Sequence, residues 1–311
     1  MARGRTTGSI VSLLIPRVLL GASVFFLALS FIIYTTWKFS EQPLPRDYAM
    51  HISTVPSTAV GSLAQGQTVY KDSSIVFGEP ADRENVTAQA RTTVRSDEQI
   101  IYREEDAVTL SRGTAYPVET ASARYSGGAP GLIAGSTLNH PSFVRVGLQY
   151  RFPPTAGKSS YSYFDTVLQT SVPVDFVDAV PYHGEEVFTF HQEIGPVRVI
   201  DGYYAVERDI TVEPFSGMIV DMKERPLWLS APTEASAKER TAEFFAGSSS
   251  VEGAVFSARF DWDETSTSTQ WAEAERKLSA FHAMRVTQYL TRTLSFLLLI
   301  AAAITYLRAR S

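Results

Sequence analysis

The chain has 311 residues, 28 Lys and Arg against 33 Asp and Glu, and a formal net charge of −5. All the acidic residues lie between Glu41 and Glu275, so the middle is strongly acidic, which excludes binding nucleic acid or an anionic bilayer surface through charge. The absence of cysteine excludes disulfides, thiolate catalysis and cysteine-based metal sites, and points to a bacterial exported domain rather than a disulfide-bonded eukaryotic one.

In chain order, Val18–Trp37 comes first. It has no charged residue and the length of about 20 residues that crosses a hydrocarbon core. Tyr34 and Trp37 close it as interfacial aromatics do. The run exceeds the apolar core of a signal peptide and no Ala-x-Ala follows it, so it reads as a retained anchor. Residues 40–66 read as an extended stalk or first strand. Gly113–Gly135, rich in Gly, Pro, Ser and Ala, reads as a loop.

Val144–Phe152 alternates with a period of two. Val144, Val146, Leu148, Tyr150 and Phe152 would face a core, and Arg145, Gly147, Gln149 and Arg151 would face water. Val187–Ile194 reads as another strand, with Phe188 and Phe190 on one face. Tyr203–Val212 and Met218–Met222 read as a hairpin closed by Glu213-Pro214-Phe215-Ser216-Gly217. Glu234–Phe245 reads as a helix ended by Gly247, and Phe256–Asp263 as a half-buried strand. From Ser268 or Thr269 as cap, Trp271, Ala274, Leu278 and Phe281 recur at helical spacing. This helix runs into a second apolar stretch at 289–307, with Arg292 about one turn inside and able to snorkel.

Arg3, Arg5, Arg17, Arg308 and Arg310 flank the outer ends of the two stretches, which places both termini in the cytoplasm. The expected organisation is a cytoplasmic segment at 1–17, a transmembrane helix at 18–37, an extracytoplasmic domain at 38–284, a second transmembrane helix at 289–307 and a cytoplasmic end at 308–311. The expected fold is α+β and mainly antiparallel β: a curved sheet or barrel-like exported domain flanked by two transmembrane helices.

No catalytic motif survives inspection. Gly157-Lys158-Ser159 lacks the glycine of a phosphate loop and follows Pro153-Pro154, and Gly-x-Ser-x-Gly is absent. His51, His140, His183, His191 and His282 match no metal signature and read as solvated or capping residues. Glu185-Glu186 and Glu104-Glu105-Asp106 read as solvated surface. No metal, no cofactor and no catalytic residue is expected. Arg208 shares a strand face with Tyr204, Val206, Ile210 and Val212, and a charge in that company needs a buried carboxylate or an anionic head group. The aromatic residues around it fill a core or line a lipid cavity. The candidate ligand-binding residues are Tyr150, Phe152, Tyr163, Phe188, Phe190, Tyr204 and Arg208.

Three segments resemble the PorA family of actinobacterial membrane proteins. They are Gly147–Pro153 followed by Tyr161–Asp165, then Val206–Pro214 running into Ser216–Val220, and finally the closing strand, helix and anchor with basic residues after it. The chain is thereby similar to the family's lipoglycan maturation factor, LmcA. The resemblance implies an exported lipid-binding domain of barrel-like fold and no catalytic residues. The resulting expectation is a non-enzymatic cell-envelope protein. It would bind a membrane lipid or polyprenyl-linked glycan and assist membrane glycosyltransferases in lipomannan and lipoarabinomannan biosynthesis. An interaction module docking an envelope enzyme through its acidic surface is the alternative. A porin ranks lower, because helical anchors and water-facing strands do not make a membrane barrel. A hydrolase using Asp165 or Glu213 ranks there too.

Overall fold

The computed structural model describes residues 6–41, 44–97, 99–118, 124–127, 145–199 and 201–310. The chain forms two compact units, one of residues 1–42 and 275–311 and one of residues 43–274.

The first unit is a pair of helices, α1 (Thr6–Glu41) and the distal part of α3 (Glu264–Arg310), each long and apolar enough to cross a membrane. Phe25, Phe31, Phe296 and Leu297 are exposed, as lipid-facing side chains are. The helices meet along a polar seam. Ser23 Oγ donates to the Ser295 carbonyl and Ser295 Oγ to the Ser23 carbonyl, both at 2.8 Å. One and two turns further along, Arg292 Nε donates to Ser30 Oγ at 2.9 Å and Gln288 Nε2 to the Ser30 carbonyl at 3.4 Å. The expected snorkelling arginine is instead held by a hydroxyl on the other helix.

The second unit holds two open antiparallel sheets and a helix. The first sheet runs β1 (Tyr48–Ser53), β3 (Thr68–Ala81), β4 (Asn85–Ser96), β5 (Ile100–Ser111), β6 (Arg124–Gly127), with β2 (Ser57–Thr58) on β3. The second runs β12 (Ala254–Ser257), β11 (Met218–Leu229), β10 (Gly202–Glu213), β9 (Glu185–Val199), β8 (Thr170–Tyr182), β7 (Tyr161–Asp165), with β13 (Phe260–Asp261) on β11. Both orders largely follow the chain: β3 to β5 and β7 to β11 each lie beside their predecessor after a short connection, whereas β1 pairs β3 and β12 reaches β11 only after the helix at Glu234–Phe245. His183 and Gly184, at φ +48° and +88°, close the β8–β9 turn. Neither sheet closes on itself, so the barrel-like alternative is corrected to a pair of open sheets.

The core lies between the sheets. Ile75, Phe77, Val86 and Val108 from the first pack with Phe190, Ile210, Val212 and Ile219 from the second. Towards the other end, Val69, Val94 and Ile101 meet Tyr204, Val206 and Trp228. Helix α2 (Glu234–Phe245) covers the outer face of the second sheet, setting Ala237 and Phe244 on Tyr203, Leu227 and Leu229. Gly247 at φ +100° follows its end, as the sequence predicts, and Thr233 and Ser236 form a capping box at its start that the sequence reading did not name.

Several predicted elements differ. Residues 145–152 are irregular, bridged only through Leu148 to Tyr163, and Val144 lies outside the described residues. Gly147, at φ +91°, breaks the alternation; Arg145 and Arg151 are buried while Val146 is exposed. The segment is fastened instead to the β10–β11 turn. Phe152 N–H donates to the Gly217 carbonyl at 2.8 Å, and Arg151 donates to the Ser216 carbonyl through Nε (3.0 Å) and Nη2 (2.6 Å). The predicted strand at Phe256–Asp263 is split into β12 and β13 at Ala258-Arg259. Helix α3 begins before Ser268, with Asp263 Oδ1 accepting from Ser266 N–H at 2.7 Å. Within Gly113–Gly135, Arg124–Gly127 form β6; residues 119–123, 128–135 and His140 lie outside the described residues.

Gly217 carries a prediction. Its φ is +75°, and a Cβ there would collide with the Phe152 and Pro153 backbone. Gly217→Val is expected to cost at least about 2 kcal/mol, lowering the thermal midpoint by roughly 4–8 °C. Circular dichroism of the full chain in detergent reads this, and an unchanged midpoint would refute the fastening role.

Candidate functional site

The inner face of β10 carries Tyr204, Val206, Arg208, Ile210 and Val212 in alternation, so Arg208 points into the space between the sheets. Register sets Glu224 of β11 and Gln192 of β9 directly opposite it. Arg208 Nε donates to Glu224 Oε2 at 2.8 Å and Nη1 to Gln192 Oε1 at 2.7 Å. Nη2 donates to Asp165 Oδ2, at the end of β7, at 2.7 Å, and Tyr204 OH donates to the same oxygen at 3.2 Å. From the first sheet, Lys71 Nζ reaches Glu224 Oε1 at 2.9 Å, so one ionic chain joins the two sheets.

Burial pulls the Arg208 guanidinium down, but the Glu224 and Asp165 carboxylates beside it reverse that and hold its pKa well above the ordinary value. Burial likewise raises Glu224, but Lys71 and Arg208 overcome it and bring its pKa to about 2. Arg208 and Glu224 are therefore both ionised within the network.

A second node lies on β5, where Tyr102, Glu104, Asp106, Val108 and Leu110 alternate inward. Arg145 Nη1 donates to Asp106 Oδ1 at 2.6 Å, Tyr150 OH donates to Asp106 Oδ2, and the guanidinium lies 4.2 Å over the Phe164 ring. Tyr102 OH donates to Glu104 Oε2 at 2.6 Å. Burial pushes the Glu104 carboxyl up to about 7; the Tyr102 hydrogen bond offsets part of this. Glu104 and Asp106 are thus buried, against the expectation of solvated surface. The apolar Val108 and Leu110 two and four places further along the same face were the signal for it.

Between the nodes is a cavity of about 120 Å³ whose wall includes Lys71, Glu104, Tyr150, Tyr163, Arg208 and Glu224. Pockets for drug-sized ligands measure about 300–1,000 Å³, and one of about 150 Å³ holds a benzene. The space suits ordered water or one small molecule, not an acyl chain.

Of the candidate ligand-binding residues, the cavity brings together Tyr150, Tyr163 and Arg208. The others pack. Phe152 and Phe190 are 4.8 Å apart between ring centroids, Phe188 meets Phe176 at 5.5 Å, and Tyr204 meets Trp228 at 5.1 Å. Arg208 takes the buried-carboxylate option, since all its nitrogens already donate within the network. Asp165, Gln192 and Glu224 were not singled out as its partners, nor Lys71, Glu104, Asp106 and Arg145 as members of buried networks.

Comparison with known proteins places the chain. The family profile described as Porin PorA matches residues 15–304. A protein named Porin PorA from Corynebacterium amycolatum is 28% identical, with 52% of this chain and 54% of that protein covered. Another of that name, from Corynebacterium resistens, is 35% identical, with 39% of this chain and 30% of that protein covered. The chain thus spans about half or less of the length of these relatives. These findings overturn the expected lipoglycan role: the relatives carry the name of the class ranked low on sequence grounds, and the aromatic residues expected around a lipid largely fill the core. The objection to a porin assumed passage through strands, which two membrane-crossing helices do not require.

Proposed function

This chain belongs to the Porin PorA family, and from that premise we propose that it forms a membrane passage as an assembly of several copies, lined by α1 and α3 rather than by strands. The polar seam within an otherwise apolar helix pair carries this reading. Ser23, Ser30 and Ser295 are buried between the two helices and hold them together, whereas Arg292 stays exposed on the pair, where it can face a passage formed with further pairs. An ionisable residue inside a span is costly in hydrocarbon, and such residues mark polar pathways. One helix pair encloses no channel, so the passage needs several pairs.

The strands are unsuited to lipid. The outer face of β4 carries Gln89, Arg91 and Arg95, and that of β5 carries Arg103 and Glu105. Each arginine facing lipid at mid-bilayer costs about 2–4 kcal/mol. The sheet unit therefore belongs in water, on the extracytoplasmic side if the terminal arginines stay in the cytoplasm. No catalytic step is part of this reading.

Purified full-length chain in planar bilayers tests it. Discrete conductance steps are expected, and Arg292→Glu is expected to shift selectivity from anions towards cations. Silent bilayers, with insertion verified by flotation of the same preparation in liposomes, would overturn the proposal.

A further inference from the structure

The outer face of β9 and β10, opposite the face that lines the cavity, carries a square of histidine and carboxylate side chains. His191 and Glu193 are two apart on β9 and share that face. Register sets His191 opposite Asp209 and Glu193 opposite Glu207. Ligand atoms of His191, Glu193 and Glu207 all lie within 4.8 Å of one another. No short sequence motif encodes the grouping, because its halves are on two strands and only the register joins them.

Two features single it out from an ordinary acidic surface. First, His191 Nδ1 is hydrogen-bonded to Asp209 Oδ1 at 2.8 Å, and among the described residues Nε2 has no protein partner. A carboxylate on one ring nitrogen and a metal on the other is the usual arrangement of a ligating histidine. Second, Glu193 and Glu207 are like charges directly across a strand pair, a destabilising placement. Arg225 relieves only Glu207, through Oε2 at 2.7 Å and 3.2 Å, leaving Oε1 open. Among the described residues Glu193 has no cationic partner. Glu207 and Asp209 also border a groove of about 360 Å³.

We propose that His191, Glu193 and Glu207 bind one divalent first-row transition ion, such as Zn²⁺ or Mn²⁺, with Asp209 positioning the imidazole. One imidazole and two carboxylates suit that class, and water completes the coordination. Tetrahedral ligands at about 2.1 Å from one ion stand about 3.4 Å apart, so atoms up to 4.8 Å apart close the site by shifts of under about 1 Å each. His191 is 35% exposed at its side chain and free to make them.

Isothermal titration of Zn²⁺ into chelator-treated full-length chain in detergent tests the site. One Zn²⁺ per chain is expected, weakened by about tenfold or more in His191→Ala and in Glu193→Gln. His51→Ala, on β1, is expected to bind as the parent does. Circular dichroism verifies that each variant is folded, and Zn²⁺ should raise the thermal midpoint of the parent but not of His191→Ala. No stoichiometric binding by the parent, or binding unchanged in both site variants, overturns the proposal. Neither result depends on conductance, so the site and the passage fail separately.

Discussion

Arg208→Met is expected to destabilise the sheet unit by about 3–5 kcal/mol, the cost of breaking a buried ion pair from one side. The cost lies in what remains. Glu224 keeps Lys71, but Asp165, fully buried, keeps among the described residues only Tyr204 OH and the Leu168 N–H at 2.8 Å. Gln192 Oε1 loses its donor in the same step. At about 2–4 °C per kcal/mol for a unit of this size, the thermal midpoint should fall by roughly 10 °C. Adding Asp165→Asn to Arg208→Met removes the stranded charge and is expected to recover part of that loss. Thermal unfolding of parent, both single variants and the double variant gives the coupling directly. Strictly additive losses would mean that Arg208 and Asp165 do not form the pair described.

How far the sequence foretold this differs by element. The membrane helices were legible in composition alone, since nothing else in the chain is apolar for so long. The C-terminal end of α2 followed from Gly247, and β9–β11 followed from alternation among aromatic and branched residues. Strands β3–β5 escaped notice because their inner faces include Lys71, Ser73, Glu104 and Asp106, which blur the period of two. Val144–Phe152 misled in the opposite sense: its alternation is real, but two arginines of its supposed outer face turn inward to Asp106 and Ser216. Arg208 could be recognised as needing a partner because Val206 and Ile210 flank it. Which partners it takes depends on register and on β7, a strand 43 residues or more away in sequence, and neither is written locally. The resemblance gave the right family and the wrong role, because family motifs in strands and turns specify a scaffold rather than what the scaffold does.

Glu104 makes the pH response of this scaffold predictable. Its carboxyl rises from 4.5 to about 7 on folding, chiefly through burial, with Asp106 adding to the rise and the Tyr102 hydroxyl opposing it. The folded state therefore holds this proton more tightly than the unfolded state. The stability it contributes is complete below about pH 4.5 and is lost as pH rises through about 7. The interval corresponds to about 3 kcal/mol. Glu224 works with the opposite sign. Lowered to about 2, it contributes above pH 4.5 and loses that contribution as pH falls through 2. Stability from the two groups together should peak near pH 5 and decline in both directions. Glu104→Gln keeps an acceptor for the Tyr102 hydroxyl without a charge to desolvate. At pH 5 it should match the parent closely, and at pH 8 it should exceed the parent by up to about 3 kcal/mol, with the alkaline decline flattened. Urea midpoints at pH 5 and pH 8 for both proteins measure this. If the two proteins differ by the same amount at both pH values, Glu104 is not the group that titrates.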